Sequence, residues 1–333
     1  MILLNTKYVI AVDIGGTKIL GALVRADDGS VVKEVLAPTD TSSNVAFLKG
    51  IEKLIGSLMR DNPGIEYLGI GIGTAGYVDI TRQTVTSMNL GLSQFPLSRF
   101  LSQRFGLPVT MDNDCNAGVL GEGIYGLAKK KRHYAYISVG TGVGMGLVLD
   151  GHLYRGKSNN AGEIGHLGID IEGHLCKCYG RGCVENFSSG TAIADQAMMM
   201  LSETKVLSSL DSSQDEENLS AREVVLAAQH GDKNAAKVIK RAIHALGYAI
   251  RNLNNLLDLE LVILGGGITT AIPQFVEEVN NLANGKNAIN SEKVPIVVSK
   301  LGSYTTVLGA AALISQKKND YIIRPMDLND PAL

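Results

Sequence analysis

The chain has 333 residues, enough for two domains with ample core. A formal net charge of −2 lacks the basic surplus that would point to nucleic acid or an anionic membrane. The opening MILLNTKYVI has no basic region followed by a long apolar stretch and a cleavage site, and no apolar run is long enough to span a bilayer, so a cytoplasmic protein is expected. Tyr8 to Asp13 is a β-branched run that ends in Gly15-Gly16-Thr17-Lys18, and two further apolar runs follow around Asp28-Gly29. This predicts a β-meander with glycine turns. Leu48, Ile51, Ile55 and Leu58 recur at helical spacing and predict a helix over 44–60. A strand from Tyr67 ends at Gly73-Thr74-Ala75-Gly76, and PVTMDN is a strand that leads into a helix beginning near Asp114.

The opening pattern then recurs. His133 to Val139 is a strand, Gly140 to Gly146 a glycine turn, and LVL a second strand before Asp150-Gly151. Strand, glycine turn, strand in each half argues for an internal duplication. Residues 151–190 are polar, Gly-rich and carry three of the four cysteines, so they are expected to form an irregular functional region. Residues 208–220 form a solvated connection. Ser220 and Glu223 predict a capping box before a helix. Ile239, Ala242, Leu246, Ile250, Leu253 and Leu257 mark a long amphipathic helix that feeds a strand at Leu261 to Leu264 and then Gly265-Gly266-Gly267. The small-residue run Leu308 to Ala312 suits a closely packed helix. Strands alternating with helices, some joined by hairpins, predict an α/β architecture with mixed sheets.

Three glycine turns each follow an apolar strand, and such turns expose backbone N–H groups that can cradle phosphate oxygens. None fits a P-loop or a complete dinucleotide fingerprint. Three at strand ends, in a duplicated frame, favour nucleotide binding. Asp13, in an otherwise apolar strand, either caps its own turn or ligates the Mg²⁺ that accompanies ATP, directly or through water. Asn113-Asp114 opens a helix; the pair serves as an N-cap, or Asp114 takes the proton of an attacking hydroxyl. Cys176, Cys178 and Cys183 fall in one short polar segment, which favours a metal site over disulfides. His166 would complete a tetrahedral Cys₃His zinc site, with His174 a nearer competitor in sequence. A zinc held there is expected to be structural.

Asp13-Ile14-Gly15-Gly16-Thr17-Lys18, Asn113-Asp114, Gly140-Thr141-Gly142-Val143-Gly144, Glu163-Ile164-Gly165-His166 and Cys176-Lys177-Cys178 through Gly182-Cys183-Val184-Glu185 together resemble the ROK family of sugar kinases and sugar-responsive repressors. Their order and spacing match along nearly the whole chain. The resemblance implies an actin-like, hexokinase-like (ribonuclease H-like) fold of two lobes with a cleft, taken as a smaller lobe over 1–117, on which 315–333 packs back, and a larger one over 118–314. It implies Asp114 as general base and a sugar site of Gly76, Asn89, Asn113, Glu163, His166 and Glu185. His166, Cys176, Cys178 and Cys183 would hold zinc. Gly15, Gly16, Thr17 and Lys18 with Thr141 and Gly142 would hold the phosphates, and Gly265 and Gly266 would lie near the adenosine. Two departures stand out. The family usually has Gly after the second cysteine, where this chain has Tyr179 and then Gly180, so the knuckle is expected to turn one residue later. Many members have Pro where this chain has Ala75.

The expected activity is transfer of the γ-phosphate of Mg·ATP to a hexose, glucose at its 6-hydroxyl first, with an N-acetylhexosamine or fructose as the alternative acceptor. The other class in the family, a repressor, needs a helix-turn-helix ahead of the sugar domain, and a first strand near residue 8 is expected to leave no room for one. The expected partners are the sugar, ATP and a second copy in a homodimer, with no nucleic acid or membrane.

Overall fold

The computed structural model describes residues 6–60, 65–204, 219–285 and 293–315. Most of the connection expected over 208–220, and the C-terminal segment after Ser315, lie outside the described residues. Among the described residues no helix is long and apolar enough to cross a membrane.

The opening meander is β1 (Lys7–Ile14), β2 (Lys18–Arg25) and β3 (Val31–Pro38), followed by α1 (Asn44–Met59). Ser43 caps α1 by accepting the Ala46 N–H, and Phe47, Ile51, Leu54, Ile55 and Leu58 form its buried stripe. Next come β4 (Glu66–Thr74), a small antiparallel sheet of β5 (Tyr77–Asp79), β6 (Thr84–Ser87) and β7 (Leu92–Phe95), then α2 (Leu97–Phe105), β8 (Val109–Asn113) and α3 (Asp114–Ile124). The second half holds β9 (Tyr134–Val139), β10 (Val143–Leu149), β11 (His152–Leu153), α4 (Glu185–Ser188), α5 (Gly190–Thr204), α6 (Ala221–Gln229) and α7 (Lys233–Leu257). It closes with β12 (Leu261–Gly265), α8 (Gly267–Ala271), α9 (Phe275–Ala283), β13 (Ile296–Val298) and α10 (Thr305–Ser315). The capping box expected at Ser220 and Glu223 is formed at the start of α6.

The two five-stranded sheets have the orders β3-β2-β1-β4-β8 and β11-β10-β9-β12-β13. In both, a hairpin partner lies on one side of the first strand and later strands continue on the other. The duplication read from the glycine turns is therefore present in the topology. In the first sheet β1, β4 and β8 are parallel, while β2 runs antiparallel to both of its neighbours, β1 and β3. In the second, β9, β12 and β13 are parallel. The small β5-β6-β7 sheet follows Gly76 without a long hydrophobic run, which is why the sequence does not announce it.

Contacts divide the described residues into two compact units. One takes those within 1–132, 146–161 and 300–315; the other takes those within 133–145 and 162–299. The boundary expected at 117/118 falls inside α3, a continuous helix. In the first unit the central strand β1 is buried on both faces. Ile10, Val12 and Ile14 of β1 point to the core with Phe47, Ile51 and Leu101, whereas Val9 and Ala11 point to Val307, Ala310, Ala311 and Ile314 of α10. The strand period of two puts Asp13 on the α10 face. Helix α10 lies against α3 at backbone distance. A Cβ on Gly309 would run into the Ala117 carbonyl, and one on Gly121 would come within 2.6 Å of the Thr305 carbonyl oxygen, so a glycine on each helix is what lets them meet.

Candidate functional site

In the first unit the register levels the ends of three parallel strands. Asp13 of β1 sits beside Gly73 of β4, and Gly73 beside Asp112 of β8; one residue on, Ile14, Thr74 and Asn113 form the next row. The segments that follow these strands, Gly15 to Lys18, Ala75-Gly76 and Asn113-Asp114, therefore leave the sheet at one edge. Carboxyl ends of parallel strands are where open α/β sheets place ligands.

Each segment is held by bonds of its own. The Gly15 N–H donates to the Lys18 carbonyl at 3.0 Å, and the Thr39 hydroxyl donates to the Gly15 carbonyl at 2.7 Å. Gly16, Thr17 and Lys18 are exposed. Asn89, also exposed, lies alongside: a Cβ on Gly16 would be 3.8 Å from the Asn89 Cβ. Gly76 has φ +107°, and a Cβ there would come within 2.7 Å of the Ser87 Cβ, so only glycine fits. Asn113 caps α3 by accepting the N–H groups of Cys115 and Asn116, and its Nδ2 donates to the Gly76 carbonyl at 3.1 Å. Asp114 is the first residue of α3.

Asp13 and Asp114 are both held towards the protonated form. Burial, then the negative charge of Asp114, pushes Asp13 up to about 7, against the pull of Lys18. Burial also raises Asp114, opposed by hydrogen bonds from the Cys115 N–H and from Asn113. Two carboxylates that disfavour each other's charge at a strand edge form a place for a cation, or for a group that gives up a proton.

Sequence reading passed over Asp112. It is 2% exposed, and its Oδ2 accepts both Arg155 Nε, at 2.9 Å, and Arg155 Nη2, at 2.6 Å. Its Oδ1 accepts the Asn113 N–H at 2.8 Å and Asn116 Nδ2 at 2.9 Å. A buried acid directly before Asn113-Asp114 was the available signal.

In the second unit Gly265 of β12 sits beside Ser138 of β9, so the turns after these two parallel strands share an edge. Gly140-Thr141-Gly142 is closed by the Gly140 N–H bonding the Gly142 carbonyl at 2.9 Å. The Glu185 Oε2 accepts the Val143 N–H at 2.9 Å, and a Cβ on Gly142 would come within 2.7 Å of the same oxygen. Gly266 has φ +89° and opens α8. A cavity of about 710 Å³ is lined by Thr141, Thr191, Asp195, Arg222, Gly267 and their neighbours. Sequence reading found its glycine turns but not the α5 and α6 residues, which carry no motif.

Glu163 and His166 bracket a single 3₁₀ turn, the His166 N–H donating to the Glu163 carbonyl at 3.0 Å; both side chains are exposed. His166, Cys176, Cys178 and Cys183 bring one ligand atom each to within 4.8 Å of one another. Cys176 Sγ is 3.7 Å from His166 Nδ1, and Cys178 Sγ is 3.6 Å from Cys183 Sγ. Tetrahedral zinc with Zn–S near 2.3 Å spaces its sulfurs about 3.8 Å apart, so these four residues fit the ion. His166, rather than His174, completes the group. Burial pushes the Cys183 thiol up to about 12, whereas the Gly180 N–H lowers the exposed Cys178. The expectation that the knuckle turns one residue late is corrected: Tyr179 itself takes φ +67°, the left-handed conformation that glycine would supply.

The ROK family model matches residues 9–317, and the chain belongs to that family. It is 32% identical to the N-acetylmannosamine kinase of Vibrio cholerae over 91% of this chain and 97% of that one. It is 30% identical to the glucokinase of Halalkalibacterium halodurans over 95% and 97%. A crystal structure of a ROK family glucokinase from Streptomyces griseus, in complex with glucose and AMPPNP, is similar with a TM-score of 0.78 and 29% identity, covering 93% of this chain and 99% of that one. The mixed-sheet α/β fold is thus the fold of the ROK hexokinases. A protein of a Caldicellulosiruptor species named "putative xylose repressor" is 35% identical over 74% of this chain, which spans 62% of that protein's length.

Proposed function

We propose that the protein is an ATP-dependent kinase that phosphorylates glucose at the 6-hydroxyl. The observation that carries this reading is the pair Asp13 and Asp114 at one strand edge, each raised by burial. A binding protein gains nothing from two carboxylates that disfavour each other's charge. A phosphoryl transferase uses one for Mg²⁺ and one for the acceptor's proton.

In this reading Asp114 orients the sugar hydroxyl and accepts its proton as oxygen bonds to the γ-phosphorus and the bond to the ADP oxygen breaks. A raised carboxylate is a better match to that proton than an ordinary one. Asp13 takes the Mg²⁺ of Mg·ATP, directly or through water; Mg²⁺ neutralises charge on the transferring phosphoryl group. Gly15, Gly16, Thr17, Lys18, Thr141 and Gly142 bind phosphates, and Gly265 and Gly266 lie by the adenosine. Gly76, Asn89, Asn113, Glu163, His166 and Glu185 hold the sugar. Structural zinc on His166, Cys176, Cys178 and Cys183 fixes the imidazole. The active species is a homodimer in the cytoplasm.

A second reading, an N-acetylmannosamine kinase, draws on the 32% identity over 97% of such an enzyme. A coupled kinase assay over glucose, fructose, xylose, N-acetylglucosamine and N-acetylmannosamine tests both. Highest kcat/KM on glucose upholds the first reading; highest on N-acetylmannosamine replaces it with the second. Tight sugar binding with no turnover on any of them makes the protein a sensor.

A further inference from the structure

Arg155 lies in the irregular segment after β11, held there by the Ala161 N–H bonding its carbonyl at 3.0 Å. It belongs to none of the motifs that suggest the family. Its side chain is 12% exposed, and the side chain of its partner Asp112 is 3% exposed. Two of its N–H groups converge on one oxygen of Asp112. The other oxygen of that carboxylate holds the backbone N–H of Asn113 and the side chain of Asn116, within the first turn of α3. Asn113 in turn caps α3 and reaches the Gly76 carbonyl. The chain of bonds thus runs from Arg155 through Asp112 to the residue that immediately precedes Asp114, and on to the turn after β4.

We infer that Arg155 is a positioning residue for phosphoryl transfer, acting through Asp112 to fix the Asn113-Asp114 junction. The inference rests on the kinase reading. The physical argument has two parts. A lone carboxylate at Asp112, buried next to the junction, is an uncompensated charge that would turn towards water, and turning would release the Asn113 N–H. A guanidinium that saturates one oxygen leaves the second aimed at the junction, with planar geometry that a point charge does not impose. Proton acceptance by Asp114 needs its carboxylate placed to within a fraction of an ångström, so slack at Asn113 is lost turnover.

Arg155→Met alone leaves Asp112 buried and unpaired and is expected to destabilise the fold. The deciding variant is therefore Asp112→Asn with Arg155→Met, which removes both charges. The melting temperature of this double variant is expected to recover to within a few degrees of the parent. Its kcat on the preferred sugar is expected to stay at least about tenfold down, with the KM for Mg·ATP within twofold. Arg155→Lys, which keeps the charge but loses the paired N–H groups, is expected to fold normally and fall between the two. If the ion pair only stabilises the fold, kcat returns with the melting temperature in the double variant, and the inference is overturned. A double variant that stays unfolded while Arg155→Lys turns over at the parental rate overturns it equally. A parent with no phosphoryl transfer on any sugar sinks the kinase reading, and this inference with it; an active parent separates the two failures.

Discussion

Asn113 donates through Nδ2 to the Gly76 carbonyl at 3.1 Å while its Oδ1 caps the helix that Asp114 begins. One side chain thereby ties the end of β8 to the turn after β4. Asn113→Asp keeps the cap acceptor and loses the Nδ2 donor, so the helix is expected to survive while the Gly76 turn loosens. Asn113→Ala loses both and is expected to cost about 1 kcal/mol more in stability. Denaturant unfolding separates them; equal stability in the two variants would show that the cap carries nothing.

Asp114→Asn is expected to lower kcat by about 10²–10⁴ while sugar binding stays largely intact. Asparagine can still accept the Cys115 N–H that Asp114 accepts at 2.9 Å, so the helix start is preserved and only proton acceptance is lost. Near-parental turnover would remove Asp114 from the role of base.

Asp13 gives a pH prediction for the ligand-free protein. Its folded value, about 7, lies above the ordinary value of 3.8, so between these the folded state binds the extra proton. Stability from this group is full below about 4 and is lost as pH rises through about 7. Asp13→Asn, which cannot ionise, is therefore expected to melt higher than the parent at pH 8, with the gap closing towards pH 4. A three-unit shift sets a ceiling of about 4 kcal/mol, and solvent at this part-exposed carboxylate lowers it. The same variant is expected to use Mg·ATP poorly. An unchanged melting difference across pH 4 to 8 contradicts the burial argument.

Much of this was readable in advance because it rests on local signals. The strand-turn-strand repeat, the α1 and α7 stripes, the Ser220 cap and the three clustered cysteines each depend on near neighbours in sequence. What was not readable depends on distant ones. Asp112 has no motif of its own, and its partner Arg155 lies 43 residues on. The β5-β6-β7 sheet is short and lacks a clean alternation. The 117/118 boundary came with the resemblance; the packing of α10 on α3 and on the first sheet joins residues far apart in sequence and leaves no local signal. The choice of His166 over His174 came from the resemblance and agrees with the cluster found, whereas spacing alone does not fix the fold-back it depends on.

Tyr179 tests the zinc segment by a route independent of activity. A non-glycine residue at φ +67° pays roughly 1–2 kcal/mol of backbone strain, and the Tyr179 side chain is 89% exposed, so little packing offsets it. Tyr179→Gly relieves the strain and gives back part of the gain as unfolded-state entropy. The zinc-loaded variant is expected to melt about 1–3 °C higher and to lose zinc more slowly to a chelator. A lower melting temperature would mean that the tyrosine side chain holds the loop in a way its exposure does not reveal.

Glu185 and Cys183 give the last prediction, on the coupling of zinc to sugar. Glu185 follows Cys183 by two residues, and Glu163 and His166 bracket one 3₁₀ turn, so the cysteine-bound segment carries at its ends three of the groups proposed for the sugar. Zinc ligation would fix the imidazole of His166 at one angle and leave its other ring nitrogen for a second partner. Elemental analysis of the purified protein is expected to give about one zinc per chain. Cys178→Ser removes the exposed cysteine of the proposed zinc cluster with little change in packing, and is expected to raise the KM for sugar far more than that for Mg·ATP. Glu185→Ala provides the contrast. Its carboxylate also holds the Val143 N–H at the second glycine turn, so its loss is expected to raise both KM values. If the cysteines serve only to hold the fold, Cys178→Ser lowers the active fraction and apparent kcat but leaves both KM values alone. Steady-state kinetics on soluble protein, with active sites titrated, distinguishes these outcomes, and equal shifts in the two KM values for Cys178→Ser would defeat the coupling.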